Sequence, residues 1–550
     1  MSKLLRGAGV LAVCAIIAKL IGALYRIPLT NIIGAEGIGL YQMVFPLYTV
    51  LLTMSSGGLP VAISKIVSAR RAQGDEAGAR QVLFASLFSL SIAGLAAGLV
   101  VVFLRGKIAL VQGNEKAALP YLGIAPSLLF VAVISCFRGY YQGLQNMLPS
   151  ALSQLFEQAV KLFAGLWFAR IFIRFSLQWA VFGALLGVSL SEFAAMVFLV
   201  VRFIFTNISY KKRSKVAAAD VNFETAAELS PALLSPAKIR SRKEVLKEVY
   251  RVAIPVTLGS LVMPITQVID SILVINLLVG SGVGAAEATS LFGLATGPIN
   301  SLINMPVVIT LSLSVALLPK VSECLSQGKN PSVDVGQGLK IAYIFGLLST
   351  LVLCLYARPI LSVLYRRGLS EAQIEVGTRL LKIGGISALY VSVLQVATAV
   401  LQAADCPHKP ALNLLYGAVL KVIFTLVLLP LLGIIGAMAG TVLCYALTCI
   451  LDVRSMKKFV SPTIKVREFV LAPILSAAVF VAVHCLFRFC LLRYLPTVAG
   501  LIISVAAAVI TFIVSLFLFG ALKFSDIGNI PFIGKITQKI KEKKNKKAAE

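Results

Sequence analysis

Histidine is nearly missing from this chain: two residues, His408 and His484, in 550. A zinc site of the H-E-x-x-H kind needs two histidines on one helix face, so that chemistry is excluded. No G-x-x-x-x-G-K-[ST] loop is present to cradle the phosphates of a nucleotide, and no G-x-S-x-G turn to present a nucleophilic serine. The nine cysteines include no C-x-x-C pair. Cys485 and Cys490 stand five apart in one helical run and do not face each other, so all nine read as small apolar packing residues. Acidic residues are scarce, 23 against 51 Lys and Arg. These absences point away from an enzyme, a metal or a bound cofactor. Work done by such a chain draws on a monovalent cation gradient, the membrane potential or consumption of what it delivers.

What is abundant is apolar length. Hydrophobic residues make up 58% of the chain, charged ones 13%, and the mean hydropathy is +0.92. About 20 helical residues cross a hydrocarbon core roughly 30 Å thick, and backbone groups in lipid must be satisfied within their own segment. Runs of that length lie at 8–28, 39–66, 82–104, 119–142, 150–173, 178–205, 250–275, 288–318, 338–358, 379–402, 410–430, 433–453, 468–491 and 496–521. The expected fold class is an all-α polytopic membrane protein with about 14 transmembrane helices. Lys19 interrupts the first run and no small-residue cleavage site follows it, so it reads as a retained membrane helix and not a leader.

The runs are internally related. Gln142–Lys161 (QGLQNMLPSALSQLFEQAVK) and Gln402–Lys421 (QAADCPHKPALNLLYGAVLK) are written alike 260 positions apart. Ala151 meets Ala411, Leu152 meets Leu412, Leu155 meets Leu415 and Lys161 meets Lys421. Such a repeat implies two pseudo-symmetric six-helix lobes. Residues 1–206 form the first lobe and 250–456 the second. A basic linker, 207–249, carries Ser230-Pro231 and Ser235-Pro236. Two helices without repeat partners occupy 457–522, and a basic tail fills 523–550.

The net charge of +28 is unevenly placed. Roughly 35 of the Lys and Arg fall in segments on one side of the expected helices and about 12 on the other. The linker (Lys211, Lys212, Arg213, Lys215, Arg240, Arg242, Lys243) and the tail hold the densest clusters, whereas 29–38 and 276–288 hold none. Positive residues stay inside, so both termini are expected in the cytoplasm, with anionic lipids rather than nucleic acid as partners. The tail from Ile530 alternates apolar and basic residues, as an amphipathic helix on the inner membrane surface would.

Charges within the spans are costly in lipid and face cavities or partners. Lys19 and Arg26 are two helical turns apart on one face, a spacing that suits a diphosphate. The other reading has Arg26 snorkelling to headgroups and Lys19 pairing with a carboxylate. Glu157 and Lys161, four apart, either neutralise each other or leave Lys161 for an anion. Lys421 has Gly417 at the place of Glu157 and lacks that neutraliser. Glu192 and Asp270 are the other mid-span acids, and with Glu157 they are the candidates for a coupling cation or for plain ion pairs. Gly57, Gly58 and Pro60 are expected to break the second span, Pro255 and Pro264 the seventh, and Pro298 and Pro306 the eighth. Such breaks are natural hinges.

The runs GALYRIPLTNIIGAEGIGLYQMVFPLYT (22–49), GGLPVAISKIV (57–67) and FRGYYQGLQNMLPSALSQLFEQ (137–158) resemble the stage V sporulation protein B family, relatives of the YtgP-like and MurJ-type flippases. The resemblance implies membership of the multidrug/oligosaccharidyl-lipid/polysaccharide exporter superfamily, with a MATE/MurJ-like pair of lobes around a V-shaped cavity. It implies an undecaprenyl-linked saccharide as cargo, most simply the peptidoglycan precursor lipid II, and cell-wall synthesis proteins as partners of a monomer. The two extra helices are similar to the pair that gives MurJ-type proteins a groove for the lipid tail. Lys19 and Arg26 match the basic pair of the first helix in that group. Its arginines of the second and eighth helices have no match here: LLTMSSGG and GPINSLIN place Thr53 and Asn300 there. Lys161 or Lys421 would then supply the missing charge. A cation-coupled drug antiporter of the same fold, or a membrane scaffold in envelope or spore assembly, are the competing expectations.

Overall fold

The computed structural model describes residues 3–219, 241–463, 465–490 and 497–522, and among these every regular element is helical. Two compact units result. The first is Met1–Pro298 with the short pieces Arg367–Leu369 and Leu429–Ile434; the second holds Ile299–Arg366, Ser370–Leu428 and Ile435–Glu550.

In the first unit α1 (Lys3–Ser56) and α2 (Leu59–Ala72) are followed by α3 (Glu76–Val111), α4 (Ala118–Ile124) and α5 (Ser127–Gly143). Then come α6 (Leu148–Phe172), α7 (Leu177–Ala219), α8 (Arg242–Gly280) and α9 (Ala285–Leu294). The outer loop expected at 29–38 is a kink within α1: only Gly34 leaves helical geometry, at φ 67° and ψ −175°, a region open to glycine and closed to side chains. α7 runs as a helix to Ala219, thirteen residues into the expected linker, and residues 220–240, which hold the rest of that linker before α8, lie outside the described residues. So do the tail from 523 and its expected amphipathic helix.

The division into units falls at Pro298, not in the linker, because α8 and α9 pack on α1, α2 and α3. Arg70 donates to Glu248 at 3.1 Å and to the Gly78 carbonyl at 3.0 Å, which ties α2 and α3 to α8. Gln112 reaches Ser271 at 3.2 Å and Asn276 reaches the Val111 carbonyl at 2.9 Å. Small residues let the backbones close: a Cβ on Gly58 would stand 2.1 Å from the Ala253 carbonyl, and one on Gly39 2.0 Å from that of Thr289.

The second unit contains α10 (Asn300–Ser326), α11 (Ser332–Leu355), α12 (Ala357–Leu364), α13 (Glu371–Gly384) and α14 (Ser387–Ala403). It continues with α15 (His408–Leu432), α16 (Ile434–Lys457), α17 (Ala472–Cys490) and α18 (Thr497–Leu518). α17 and α18 pack on α11 and α12 through a buried group that includes Tyr356, Phe480 and Phe512, and the Tyr356 hydroxyl donates to the Ser504 carbonyl at 3.1 Å.

Eleven described helices are long and apolar enough to cross a membrane, or twelve if α13 and α14, bent by 40°, cross as one. The chain is therefore a multi-pass membrane protein. The count is below the expected fourteen for identifiable reasons. One 60-residue stretch, Val13–Ala72, takes in the first two expected spans, and α6 carries Glu157, Lys161 and Arg170. Pro255 and Pro264 do not break the seventh span, since α8 continues through both. Hydroxyls of Thr257, Ser260 and Thr266, each bonded to the carbonyl four residues back, support the helix around them. Gly57-Gly58 does separate α1 from α2, with Pro60 in the first turn of α2, and Pro298 lies in a π-helical turn between α9 and α10. Pro306, like the prolines of α8, is inside a continuing helix, α10.

The 260-residue offset seen in the letters is matched by the backbone. Shifted by that amount, the bounds of α5 and α6 become those of α14 and α15. The two non-glycine residues with positive φ among the described ones are Gln145 (58°) and Asp405 (57°), the same turn residue in each copy.

Candidate functional site

Four helices of the first unit bring charge into its apolar interior. α1 places Tyr41, Phe45 and Tyr48 at helical spacing along one face, with ring centroids 5.4 and 5.7 Å apart in sequence. Tyr25 is on the same helix, its ring packed where Gly165 of α6 leaves room: a Cβ there would lie 2.6 Å from the Tyr25 hydroxyl. Lys161 of α6 projects over these rings, its Nζ 5.3 Å from the centre of Phe45 and 5.7 Å from that of Tyr25. Arg26 lies within Coulombic reach of Tyr25, Tyr41 and Lys161.

Glu157 makes no direct ion pair with Lys161. Its Oε2 accepts from Arg138 of α5 at 2.8 Å and its Oε1 from Gln158 at 3.2 Å, while Arg138 Nε donates to Ser153 at 3.0 Å. Four-residue spacing permits a pair but does not compel one, and a planar guanidinium outcompetes an ammonium for a carboxylate edge. Lys161 is left partly buried on aromatic faces, with no carboxylate within 4 Å among the described residues. A ring quadrupole holds a cation by about 0.5–2 kcal/mol without cancelling its charge. Arg26 and, with the opposite sign, Glu157 and Glu192 all lie within Coulombic reach of Lys161, neither carboxylate in direct contact with it.

Glu192 of α7 is 4% exposed. Its Oε1 accepts a hydrogen bond from the Tyr48 hydroxyl, and its Oε2 is buried with no partner. A buried carboxylate oxygen without a donor is costly, which marks Glu192 as a strained position in the interior of the unit.

The other expected residues are placed less tellingly. Lys19 is exposed on α1. Asp270 is partly buried on α8. In the second unit Lys421 is partly buried on α15, and Asn300 accepts from Asn304 at 2.8 Å. Gly417 cannot carry a carboxylate, because a Cβ there would meet the Thr448 hydroxyl at 2.2 Å. Sequence reasoning missed Arg138, Tyr48 and Asp452. Asp452 of α16 is fully buried and accepts from Thr398 at 2.8 Å and Asn413 at 2.7 Å. Thr398 and Asn413 stand 260 residues after Arg138 and Ser153, so both copies of the repeat cross-link the same positions with different chemistry.

Fold and site together define a multi-pass helical membrane protein with a cluster of buried and half-buried charges of both signs inside one unit. The profile described as "Polysaccharide biosynthesis protein" matches residues 4–325, and the chain belongs to that family. It is 29% identical to stage V sporulation protein B of Bacillus subtilis (strain 168) over 97% of this chain and 98% of that protein. Lipid II flippase MurJ of the same organism is 25% identical over 88% of each. Among solved structures, the inward closed conformation of lipid II flippase MurJ superposes with a TM-score of 0.69 at 12% identity, covering 93% of this chain and 98% of that one. The shared fold is thus of the MurJ kind.

Proposed function

We propose that this protein is a flippase that carries a polyprenyl-diphosphate-linked saccharide, specifically lipid II, across the bacterial cytoplasmic membrane by alternating access. The observation that carries the reading is Lys161: an ammonium held in an apolar lobe by aromatic rings, beside Arg26. A diphosphate adds negative charge in direct contact with Lys161, which no carboxylate touches, and affinity can fall when the site opens to water and that attraction is screened. Family membership and the names of the two relatives support the cargo class. Lys19, further along α1, is proposed to guide the head, and Lys421 and Asn300 to touch it at another stage of the cycle. Glu192 is proposed to take the coupling proton or cation, since Glu157 is committed to Arg138. Asp270 is the second candidate for that role. Gly57 and Gly58, between α1 and α2, are the proposed hinge. Both termini lie in the cytoplasm under this proposal.

The test is lipid II exposure on the outer leaflet of cells depleted of their own flippase. Parent, Lys161→Ala and Lys19→Ala/Arg26→Ala proteins are compared at equal abundance. The parent is expected to restore exposure, with a loss of at least about tenfold for Lys161→Ala, the scale of one charge-assisted contact. Restoration by all three keeps the function and removes the site. No restoration by a correctly inserted parent sinks lipid II as the cargo and favours the antiporter or scaffold.

A further inference from the structure

One end of the first unit holds a second basic site, apart from the Lys161 cluster. The α2–α3 turn, the C-terminal end of α5 and residues 203–206 of α7 form a cleft of about 200 Å³, partly open to solvent. Arg71, Glu76, Arg80, Tyr140, Tyr141 and Thr206 supply its polar lining. Arg71 is held in place by the Leu144 carbonyl, which takes one donor of its Nη1 at 2.7 Å and leaves most of the guanidinium's five N–H groups to spare. Arg80 lies beside the Tyr140 hydroxyl. Glu76, four residues before Arg80 on α3, offsets one of the two positive charges.

The walls are rigid. Tyr140 packs edge-on against both Tyr141 and Phe203, at 6.1 and 5.8 Å between centroids, and Tyr140 and Tyr141 are 6% and 2% exposed. The Tyr141 hydroxyl is buried with no partner at hydrogen-bond geometry; Thr206 beside it donates its own hydroxyl to the Arg202 carbonyl at 2.8 Å. A buried phenol without a partner forfeits on the order of 1–3 kcal/mol, which a ligand acceptor recovers. Two guanidinium groups from different helices, an unspent phenol donor and an open mouth make a cradle for a tetrahedral oxyanion.

We infer that this cleft binds a phosphate group, carried either by an anionic lipid headgroup or by a soluble phosphorylated molecule. The segments that meet here are ones that charge asymmetry assigns to the basic side of the membrane, where both sources are found. The site is independent of the cargo, because none of its residues belongs to the Lys161 cluster.

The test uses the full-length protein in nanodiscs. In neutral phosphatidylcholine discs, pyrophosphate is titrated and binding is read by calorimetry. In a second arm, phosphatidylglycerol is added stepwise, and its retention on the detergent-released protein is counted by native mass spectrometry. Parent, R71Q/R80Q, Y141F and K107Q proteins are compared; Lys107 lies outside the cleft. At least one probe should bind the parent and K107Q alike, with about tenfold weaker binding for Y141F and a larger loss for R71Q/R80Q. Binding of pyrophosphate alone assigns a soluble ligand, and retention of phosphatidylglycerol alone assigns the lipid. Failure of both probes on the parent, or unchanged binding by R71Q/R80Q and Y141F, overturns the site. Y141F keeps the ring packing, so it reports on the phenol even if the double variant does not fold.

Discussion

A lysine resting on aromatic rings, with no carboxylate to pair it, is stable only at a cost, and that cost separates function from stability at Lys161. Replacing it with methionine keeps the stem packing against Phe45 and Tyr25 and removes a charge that nothing in direct contact offsets. Lys161→Met is expected to unfold in detergent at the parent's temperature or a few degrees above it, yet to lose lipid II exposure in cells. A lower melting temperature with full exposure would make Lys161 a structural residue. The reverse holds for Arg138→Ala, which strands Glu157 and is expected to destabilise by about 2–3 kcal/mol through the loss of its partner. Part of this logic was legible in the letters: Arg26, Lys161 and Glu192 are conspicuous because charge inside an apolar run is conspicuous. The pairing was not. Arg138 sits near the end of its run, where an arginine passes for an interfacial one, and Asp452, followed at once by Val453-Arg454, passes for a helix-end charge. Tyr48 is a common core residue until Glu192 is seen beside it.

At the scale of elements, the breaks decide the path of the chain, and they are made by glycine rather than proline. Periodicity and length located almost every helix, since both depend on local burial. They found the breaks at Gly57-Gly58 and Pro298 but not the continuity at Pro255, Pro264 and Pro306. A proline removes one hydrogen bond from a helix that its neighbours can still support, as in α8. Gly34 is different: with φ at 67°, no L side chain fits without strain. Gly34→Ala should cost about 1–3 kcal/mol, the range for a residue held in a forbidden region, seen as a lower melting temperature in detergent. Gly58 has a helical backbone, and its constraint is contact, with the Ala253 carbonyl 2.1 Å from an added Cβ. Gly58→Ala should therefore loosen α2 from α8, and amide exchange should rise around residues 253–257 while remaining at parent levels at Gly34. Exchange rising equally at both positions would contradict two separate causes.

Across the whole molecule the duplication is the deepest constraint, and its best marker is a pair of strained turns. Gln145 and Asp405 both hold φ near 57° between paired helices whose bounds agree at an offset of 260 residues. Aspartate visits the left-handed region more readily than glutamine, because its short polar side chain can bond locally. The two copies therefore pay unequally for one device. Glycine at each position relieves that strain by different amounts. Gln145→Gly is expected to stabilise by roughly 0.5–1 kcal/mol and Asp405→Gly by less, because the aspartate already suits the conformation. Valine, which is β-branched, should destabilise both turns, and by similar amounts if they are the same device. The measurement is a set of four melting temperatures in one detergent. Similar losses for Gln145→Val and Asp405→Val, beside unequal gains for the two glycine variants, fit a duplicated helix–turn–helix whose copies have drifted in side chain but not in backbone. A valine loss at one turn alone would mean that the shared φ is coincidence, and the repeat would then rest on its letters and helix bounds.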